Sequence, residues 1–207
     1  MPPKVKFSEQ DIVEAALNVV RDRGFDAVTA RAVAEKLGTS TRPIFTYFDT
    51  MEQLKEKVVG LARECYKYFI ERGLEEPVPF LGVGHQHIRF ARTEPEIYRL
   101  LFLTKARGAA GGATRALKFS QDLIRESIMR IYNMDGETAD KYYRDLWLIA
   151  FSFATMIVAN DCTYTDEEIS AIFTEVSLSV CKAYKEIPGL PEGKFDRDAI
   201  FRELVKK

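Results

Sequence analysis

The sequence is short of cysteine, of excess charge and of long hydrophobic runs, and each shortage excludes a class of protein. Its three cysteines (Cys65, Cys162 and Cys181) are odd in number and widely spaced, which argues against a disulfide framework or a CxxC metal site and favours a reducing compartment. Its 30 basic and 31 acidic side chains give a formal net charge of -1, which excludes a uniformly basic nucleic-acid coat. The longest near-apolar run spans only 146–159, whereas a membrane helix needs roughly 18 residues.

Glycine and proline are also scarce. The 12 glycines and 8 prolines are too few for a collagen-like or disordered chain, and a composition that is 46% hydrophobic is enough for a sizeable core. Residues 1–7 lack the apolar stretch of a secretory signal, so we expect a cytoplasmic protein with no membrane span. Apolar residues recur at intervals of three and four, and no segment alternates long enough to form a strand, which predicts an all-α fold.

Cap and turn residues divide the chain into ten predicted helices. Ser8, Thr29 and Thr50 are good N-caps, and Gly24 and Gly38 stand where helices are expected to stop. The predicted helices lie at about 8–23, 30–37, 40–48, 51–72, 80–93, 95–104, 113–133, 138–160, 166–186 and 196–206.

These helices predict three regions. A three-helix head (1–50) is joined by a long helix to a larger helical-bundle body (51–187), and a tail with a short helix follows (188–207). The glycine-rich stretch Gly108–Gly112 is not followed by the Gly-Lys-Ser/Thr of a phosphate-binding loop, and we interpret it as a flexible connection.

Two short helices joined by Gly38-Thr39-Ser40 fit a helix-turn-helix, whose second helix enters the major groove of DNA. We expect Ser40 to cap this second helix and the helix to run to about Phe48, with Pro43 in its first turn. Because the residue before a proline disfavours helical angles, Arg42 predicts an irregular start to the helix.

The chemistry of the motif suits DNA. Residues 29–47 hold three basic side chains against one acidic one, although residues 1–60 as a whole hold nine of each. The basic residues are Arg31, Lys36 and Arg42. Hydroxyl groups that can donate to phosphate oxygens belong to Thr29, Ser40, Thr41, Thr46 and Tyr47. Arg42 can reach a phosphate or pair with guanine, whereas helix capping and ordinary solvated charge are the alternative explanations for the others.

The ordered residues of this region resemble a known family. Residues 28–48 (VTARAVAEKLGTSTRPIFTYF), followed by 49–54 (DTMEQL), are similar to the tetracycline-repressor (TetR) family of bacterial regulators. The resemblance covers about residues 1–60 and implies an all-helical chain with a variable body. It places the following residues at or near DNA: Thr29, Ser40, Thr41, Arg42, Pro43, Phe45, Thr46 and Tyr47.

The motif departs from the family pattern at two places. Met51 stands where the family often has a lysine that grips a phosphate, and Lys55 lies one helical turn later. Arg42-Pro43 replaces a common Gly-Thr, which suggests an unusual operator preference. We include Arg31 and Lys55 among the candidate DNA-binding residues.

The body contains a helix that is apolar all round, 146–159, and such a helix is buried on all sides. We expect the helices at about 138–160 and 166–186 to pair with their copies in a homodimer, as the family's last long helices do. Two heads would then contact a pseudo-palindromic operator with half-sites roughly 34 Å, or a multiple of that, apart. A buried helix of a monomer is the alternative.

Aromatic residues are plentiful in the body, where the family has an effector pocket. Such pockets are mostly apolar with a few polar groups. We expect Phe90, Phe102, Trp147 and Phe151 to line one, although each taken singly is more simply a core residue. His85 and His87 are two apart, on different sides of a helix and without further ligands at helical spacing, so we expect no metal and no cofactor.

The sequence therefore predicts a DNA-binding transcriptional regulator, in the form of a homodimeric repressor that a small apolar or amphipathic effector releases from double-stranded DNA. Ligand binding in the body would change the spacing of the heads through the long helix. An activator of the same fold and a protein-interaction module that uses the head are the alternatives. A helical-bundle enzyme would need a catalytic constellation, and the sequence offers none.

Overall fold

Ten α-helices make up most of residues 7–104 and 112–205, the parts of the chain that this computed structural model describes. The helices are α1 (Glu9–Arg23), α2 (Ala30–Leu37), α3 (Ile44–Tyr47), α4 (Met51–Leu74), α5 (Pro79–Thr93), α6 (Pro95–Tyr98), α7 (Ala113–Tyr132), α8 (Gly136–Val158), α9 (Asp166–Glu186) and α10 (Arg197–Val205). A 3₁₀ turn follows α1, and a π-helical turn, Arg99–Leu103, continues α6. The described segments contain no strand, which confirms the all-α prediction.

The predicted caps hold the helices of the head. The Ser8 hydroxyl accepts from the Asp11 amide while the Asp11 carboxylate accepts from the Ser8 amide, which satisfies two free donors at the start of α1. The Thr29 hydroxyl accepts from the Ala32 amide at 3.2 Å and caps α2 in the same way. At the other end of α2, Gly38 takes a left-handed conformation with φ of 62°, as predicted.

The third helix starts later than the sequence predicted. Ser40 does not cap it, because α3 begins at Ile44 and its N-cap position is Pro43, which offers no side-chain hydrogen bond. The Thr41 carbonyl accepts from the Ile44 amide in a tight turn before the helix. Proline at position 43 removes one backbone donor and restrains Arg42, and this explains the irregular entry to α3.

The long helix α4 joins head and body through one continuous core. It contacts α1 in the head and α5 in the body, and α1 also contacts α6. Leu54, Val58 and Ala62 are buried at the head end of α4, and Tyr66 and Ile70 are buried at the body end. The head is thus held against the body by apolar packing.

Helix α8 lies at the centre of the body and contacts α5, α7 and α9. Its inner side, including Trp147, Ala150 and Ala154, is buried within the chain. Its outer side is not, since Leu148 is 47% exposed. The predicted loop Gly108–Gly112 lies outside the described residues except for Gly112, whose amide donates to the Leu101 carbonyl at 3.0 Å.

Membrane-spanning helices and metal-binding groups are both absent from the described residues. Within 7–104 and 112–205, no helix is long and apolar enough to cross a membrane. The same segments hold no group of three or more histidine, cysteine or acidic side chains arranged to bind a metal ion.

Candidate nucleic-acid interface and ligand pocket

The segment around α3 exposes polar and aromatic side chains to solvent and is anchored by two buried apolar residues. Ile44 and Phe48 point into the core of the head and are 0% and 3% exposed. Between them, Phe45 is 51% exposed, and Thr46 and Tyr47 are also exposed. The two buried residues therefore hold the helix so that the three residues between them face outward.

Arg42 lies at the exposed entrance to this helix. Its carbonyl accepts from the Thr46 hydroxyl at 3.2 Å, which ties the turn to the helix. Its guanidinium forms no ion pair with a residue of the described segments, and the neighbouring Pro43 and Thr41 are only partly exposed. Arg42 is thus a positive charge that the fold leaves free for an external partner.

Several hydroxyl groups of the predicted site already have partners within the chain. The Tyr47 hydroxyl donates to the Phe7 carbonyl at 2.9 Å, which fastens the start of the described chain to α3. The Thr29 hydroxyl caps α2 and keeps its own proton available for a phosphate. Ser40 is exposed in the turn between α2 and α3.

The positive charge of the motif is smaller than the sequence indicates. Lys36 pairs with Asp22 and Glu35 pairs with Arg23, so both pairs link α2 to α1. Hydrogen bonds from these basic groups lower the pKa of Asp22 and of Glu35. Arg31 remains exposed on α2 and, with Arg42, supplies the positive charge at this surface.

The start of α4 has Met51 at the position where the resembled family often has a lysine, with Lys55 one turn later. Met51 is half-buried and packs against the core of the head. Lys55 is also half-buried, with its ammonium 5.6 Å from the centre of the Phe25 ring, a cation–π arrangement that holds it beside the turn after α1.

A narrow pocket lies between α5, α8 and α9 in the body. Its enclosed volume is about 20 Å³, because the lining side chains nearly fill it, and about 380 Å³ is reached only when the space open to solvent is included. Trp147, which the sequence predicts to line an effector pocket, is one of its lining residues. Phe90, Phe102 and Phe151 do not line it but belong to an adjoining aromatic cluster, in which Trp147 stacks on Phe151 with ring centres 5.1 Å apart.

Sequence reasoning missed most of the pocket. The residues that line it besides Trp147 are Phe80, Leu81, Val83, Gly84, His87, Tyr143, Leu146, Ala150, Phe173 and Ser177. They come from three helices, of which α5 is distant in the sequence from the consecutive pair α8 and α9. The only available signal was that Tyr143 and Trp147, four residues apart on the inner side of α8, both have a polar tip on an apolar ring.

The outer surfaces of α8 and α9 carry uncovered apolar side chains. Leu178 is 66% exposed, and Ile172 and Val176 are only partly buried. Two serines of α9 already have partners within the chain, since Ser170 bonds to His85 and Ser177 bonds to Tyr142.

Comparisons with known proteins agree with this architecture. Residues 12–58 match the family model for bacterial regulatory proteins of the tetR family. An uncharacterised HTH-type transcriptional regulator of Mycobacterium tuberculosis is 23% identical over 176 residues, which cover 84% of this chain and 79% of that protein. A protein of unknown function from Rhodococcus sp. RHA1 has a similar structure, with a TM-score of 0.66 and 17% identity, over 88% of this chain and 98% of that one. The fatty acid degradation regulator FadR from Bacillus halodurans has a TM-score of 0.58 and 17% identity, over 84% of this chain and 94% of its own.

Proposed function

We propose that this chain, which belongs to the TetR family of bacterial transcriptional regulators, is a cytoplasmic homodimeric repressor that a small molecule releases from its operator. The observation that supports DNA recognition most directly is the exposed α3 segment. Ile44 and Phe48 fix it to the core while the free guanidinium of Arg42 faces outward. A helix of this kind is what a helix-turn-helix protein places in the major groove.

Within the proposed interface, Arg42 pairs with a guanine edge, because its planar guanidinium matches the two acceptors of guanine. Pro43 and Phe45 contact apolar groups such as thymine methyls. Phosphate contacts fix the position of the head on the duplex but do not read the sequence. We assign them to Thr29, Arg31, Ser40, Thr41 and Lys55, and also to Thr46 and Tyr47, whose hydroxyls would exchange the Arg42 and Phe7 carbonyls for phosphate oxygens.

The second subunit in the proposal covers the outer side of α8 and α9. Leu148 and Leu178 would otherwise remain in water, and the exposed Ser152 and Ser179 are small enough to let two helices approach. A twofold pair of heads then reads a pseudo-palindrome, since each head meets one half-site. We expect the half-site centres to be one helical turn, roughly 34 Å, or a multiple of it apart.

Release by an effector requires that the ligand favour one arrangement of the heads over another. The pocket between α5, α8 and α9 is the proposed site, and α5 ends where the body meets α1 of the head. In the proposal, a ligand that displaces α5 shifts the head through this contact and through α4. The named role of FadR as a regulator is in keeping with such a use of the fold.

The experiment is selection of bound sequences from a random DNA pool, followed by titration of the selected site with two variants. Arg42→Ala is expected to weaken binding by about 1–3 kcal/mol and to relax the preference at one base pair per half-site. Arg130→Ala removes an exposed arginine from α7 in the body and serves as the matched control. Failure to select any consensus, or an equal loss in both variants, would contradict the proposal.

A further inference from the structure

Three polar atoms in the core of the body have no hydrogen-bond partner among the described residues. They are Nε2 of His87, the hydroxyl of Tyr143 and Nε1 of Trp147. The three residues are only 1%, 2% and 4% exposed, so water outside the protein does not serve them. Folded proteins pair the large majority of their buried polar groups, and three unpaired atoms in one region require an explanation.

The three side chains that carry these atoms all line the pocket between α5, α8 and α9. Most of the other lining groups are apolar; they include Phe80, Val83, Leu146, Ala150 and Phe173. The one other hydroxyl there, on Ser177, is already bonded to the Tyr142 hydroxyl at 2.9 Å. The pocket thus combines an apolar wall with a small set of unused polar groups, which is the usual composition of a small-molecule site.

No charged side chain lines this pocket. His87 is the one lining residue that could gain a positive charge near neutral pH, and burial lowers its pKa to about 3. The site therefore offers no cation to an anionic ligand and no anion to a cationic one. Because burying an unpaired charge is very unfavourable, the pocket selects against ionised molecules.

The unpaired atoms also indicate the polarity of the ligand. The Trp147 indole can only donate a hydrogen bond, and the Tyr143 hydroxyl can donate one as well. Both side chains interact with the buried Tyr66 hydroxyl without reaching hydrogen-bond geometry. That hydroxyl lies 2.9 Å from Nδ1 of His87, so Tyr66 and His87 already share one bond. A ligand oxygen with two lone pairs could therefore accept from both Trp147 and Tyr143.

We propose that this pocket binds an uncharged, mostly apolar molecule whose carbonyl-type oxygen accepts hydrogen bonds from Nε1 of Trp147 and the hydroxyl of Tyr143. The inference rests on the proposed function, since it names the chemical class of the effector. The chain's one tryptophan lies at the site, so ligand binding changes its fluorescence directly.

Three probes with a common phenylalkyl skeleton test this on the full chain by calorimetry and Trp147 fluorescence at neutral pH. Benzylacetone is neutral and has a carbonyl, butylbenzene has no polar group, and phenylbutyrate is an anion. Benzylacetone is expected to bind about tenfold more tightly than butylbenzene, and phenylbutyrate to bind least. Binding of phenylbutyrate as tight as that of benzylacetone would overturn the inference. So would the absence of binding by all three, which would mean that water alone occupies the site.

A pair of variants separates the hydrogen bond from the packing. Tyr143→Phe is expected to weaken the binding of benzylacetone about tenfold and to leave the binding of butylbenzene unchanged, because only the carbonyl accepts a hydrogen bond from the hydroxyl. Tyr98→Phe is the matched control, since it removes a buried hydroxyl that is directed at Phe151 and Thr155 outside the pocket. An equal loss for both probes in Tyr143→Phe would contradict the assigned hydrogen bond.

Release of the selected DNA site, measured with the same probes, distinguishes this inference from the proposed function. Release by phenylbutyrate and not by benzylacetone would support an effector but overturn its assigned class. Selective binding of benzylacetone without any release would support the ligand class and contradict effector control of DNA binding.

Discussion

Arg21 and Glu94 form a two-pronged ion pair between the head and the body. The Nε and one terminal nitrogen of Arg21, on α1, each lie 2.9 Å from a different carboxylate oxygen of Glu94, which stands between α5 and α6. The hydrogen bond to Glu94 raises the pKa of Arg21. Because α5 lines the proposed ligand pocket, we propose that a movement of α5 reaches the head through this pair.

Glu94→Gln is expected to weaken the coupling between ligand and DNA. The substitution removes the charge of a partly exposed pair and leaves an amide that can still bond to Arg21, so the loss of stability is small, about 1 kcal/mol. The ratio of DNA dissociation constants with and without benzylacetone is expected to fall toward one. Asp122→Asn is the control, since Asp122 pairs with Lys118 within α7. A full ligand response in Glu94→Gln would show that this contact does not transmit the change.

Replacing each of two glycines in α4 by alanine is expected to change the stability of the chain in opposite directions. A Cβ on Gly73 would lie 2.6 Å from the Val83 backbone, where α4 and α5 cross closely. A Cβ on Gly60 meets nothing within 4 Å. We expect Gly73→Ala to destabilise the chain by about 1–3 kcal/mol, and Gly60→Ala to stabilise it by about 0.5–1 kcal/mol. Urea unfolding measures both, and a neutral Gly73→Ala would contradict the close crossing.

Acid is expected to destabilise the body through His87. Burial lowers its pKa to about 3 in the folded chain, against about 6.5 when unfolded, so between these values only the unfolded chain binds the proton. Stability therefore decreases as the pH falls from about 6.5, by up to about 1.4 kcal/mol per pH unit from this residue.

Denaturant unfolding at several pH values is expected to show a shallower pH slope in His87→Gln than in the parent chain. Equal slopes in the parent and His87→Gln would mean that His87 is not shielded from protons in the folded state.

A charge on the outer side of α8 is expected to separate the proposed dimer. Leu148→Glu places a carboxylate where the second subunit would cover an apolar side chain, and sedimentation is expected to show a monomer with weakened operator binding. Ile131→Glu, on an exposed position of α7, is the control and should leave the mass unchanged. A parent chain that sediments as a monomer would refute the proposed pairing.

The parts of the fold that the sequence predicts correctly are those that depend on residues close together in the chain. Ser8, Thr29 and Thr50 cap their helices as predicted, because a cap depends on residues only a few positions away. The sequence predicts too early a start for α3, because the capping potential of Ser40 points to position 40 whereas Pro43 delays the helix to Ile44. Capping propensity is only a preference among residue types, whereas Pro43 has no backbone N–H to donate. The proline therefore has the stronger effect on where α3 begins.

The pocket is harder to predict from the sequence, because it depends on how the helices cross. His87 and Tyr143 come together only when α5 packs on α8, and no periodicity within one helix specifies that contact. The same applies to the hydrogen bond between Ser177 of α9 and Tyr142 of α8. The ion pair of Lys36 cannot be read from the motif either, because its partner, Asp22, is on another helix.

Methylation interference on the selected DNA site tests the central claim most directly, because it reports the guanines that the exposed α3 segment reads. The parent chain is expected to show guanines related by a twofold axis, one set in each half-site, and Arg42→Ala is expected to lose sensitivity at one guanine per half-site. An unchanged pattern in Arg42→Ala, or interference on one side only, would contradict the account.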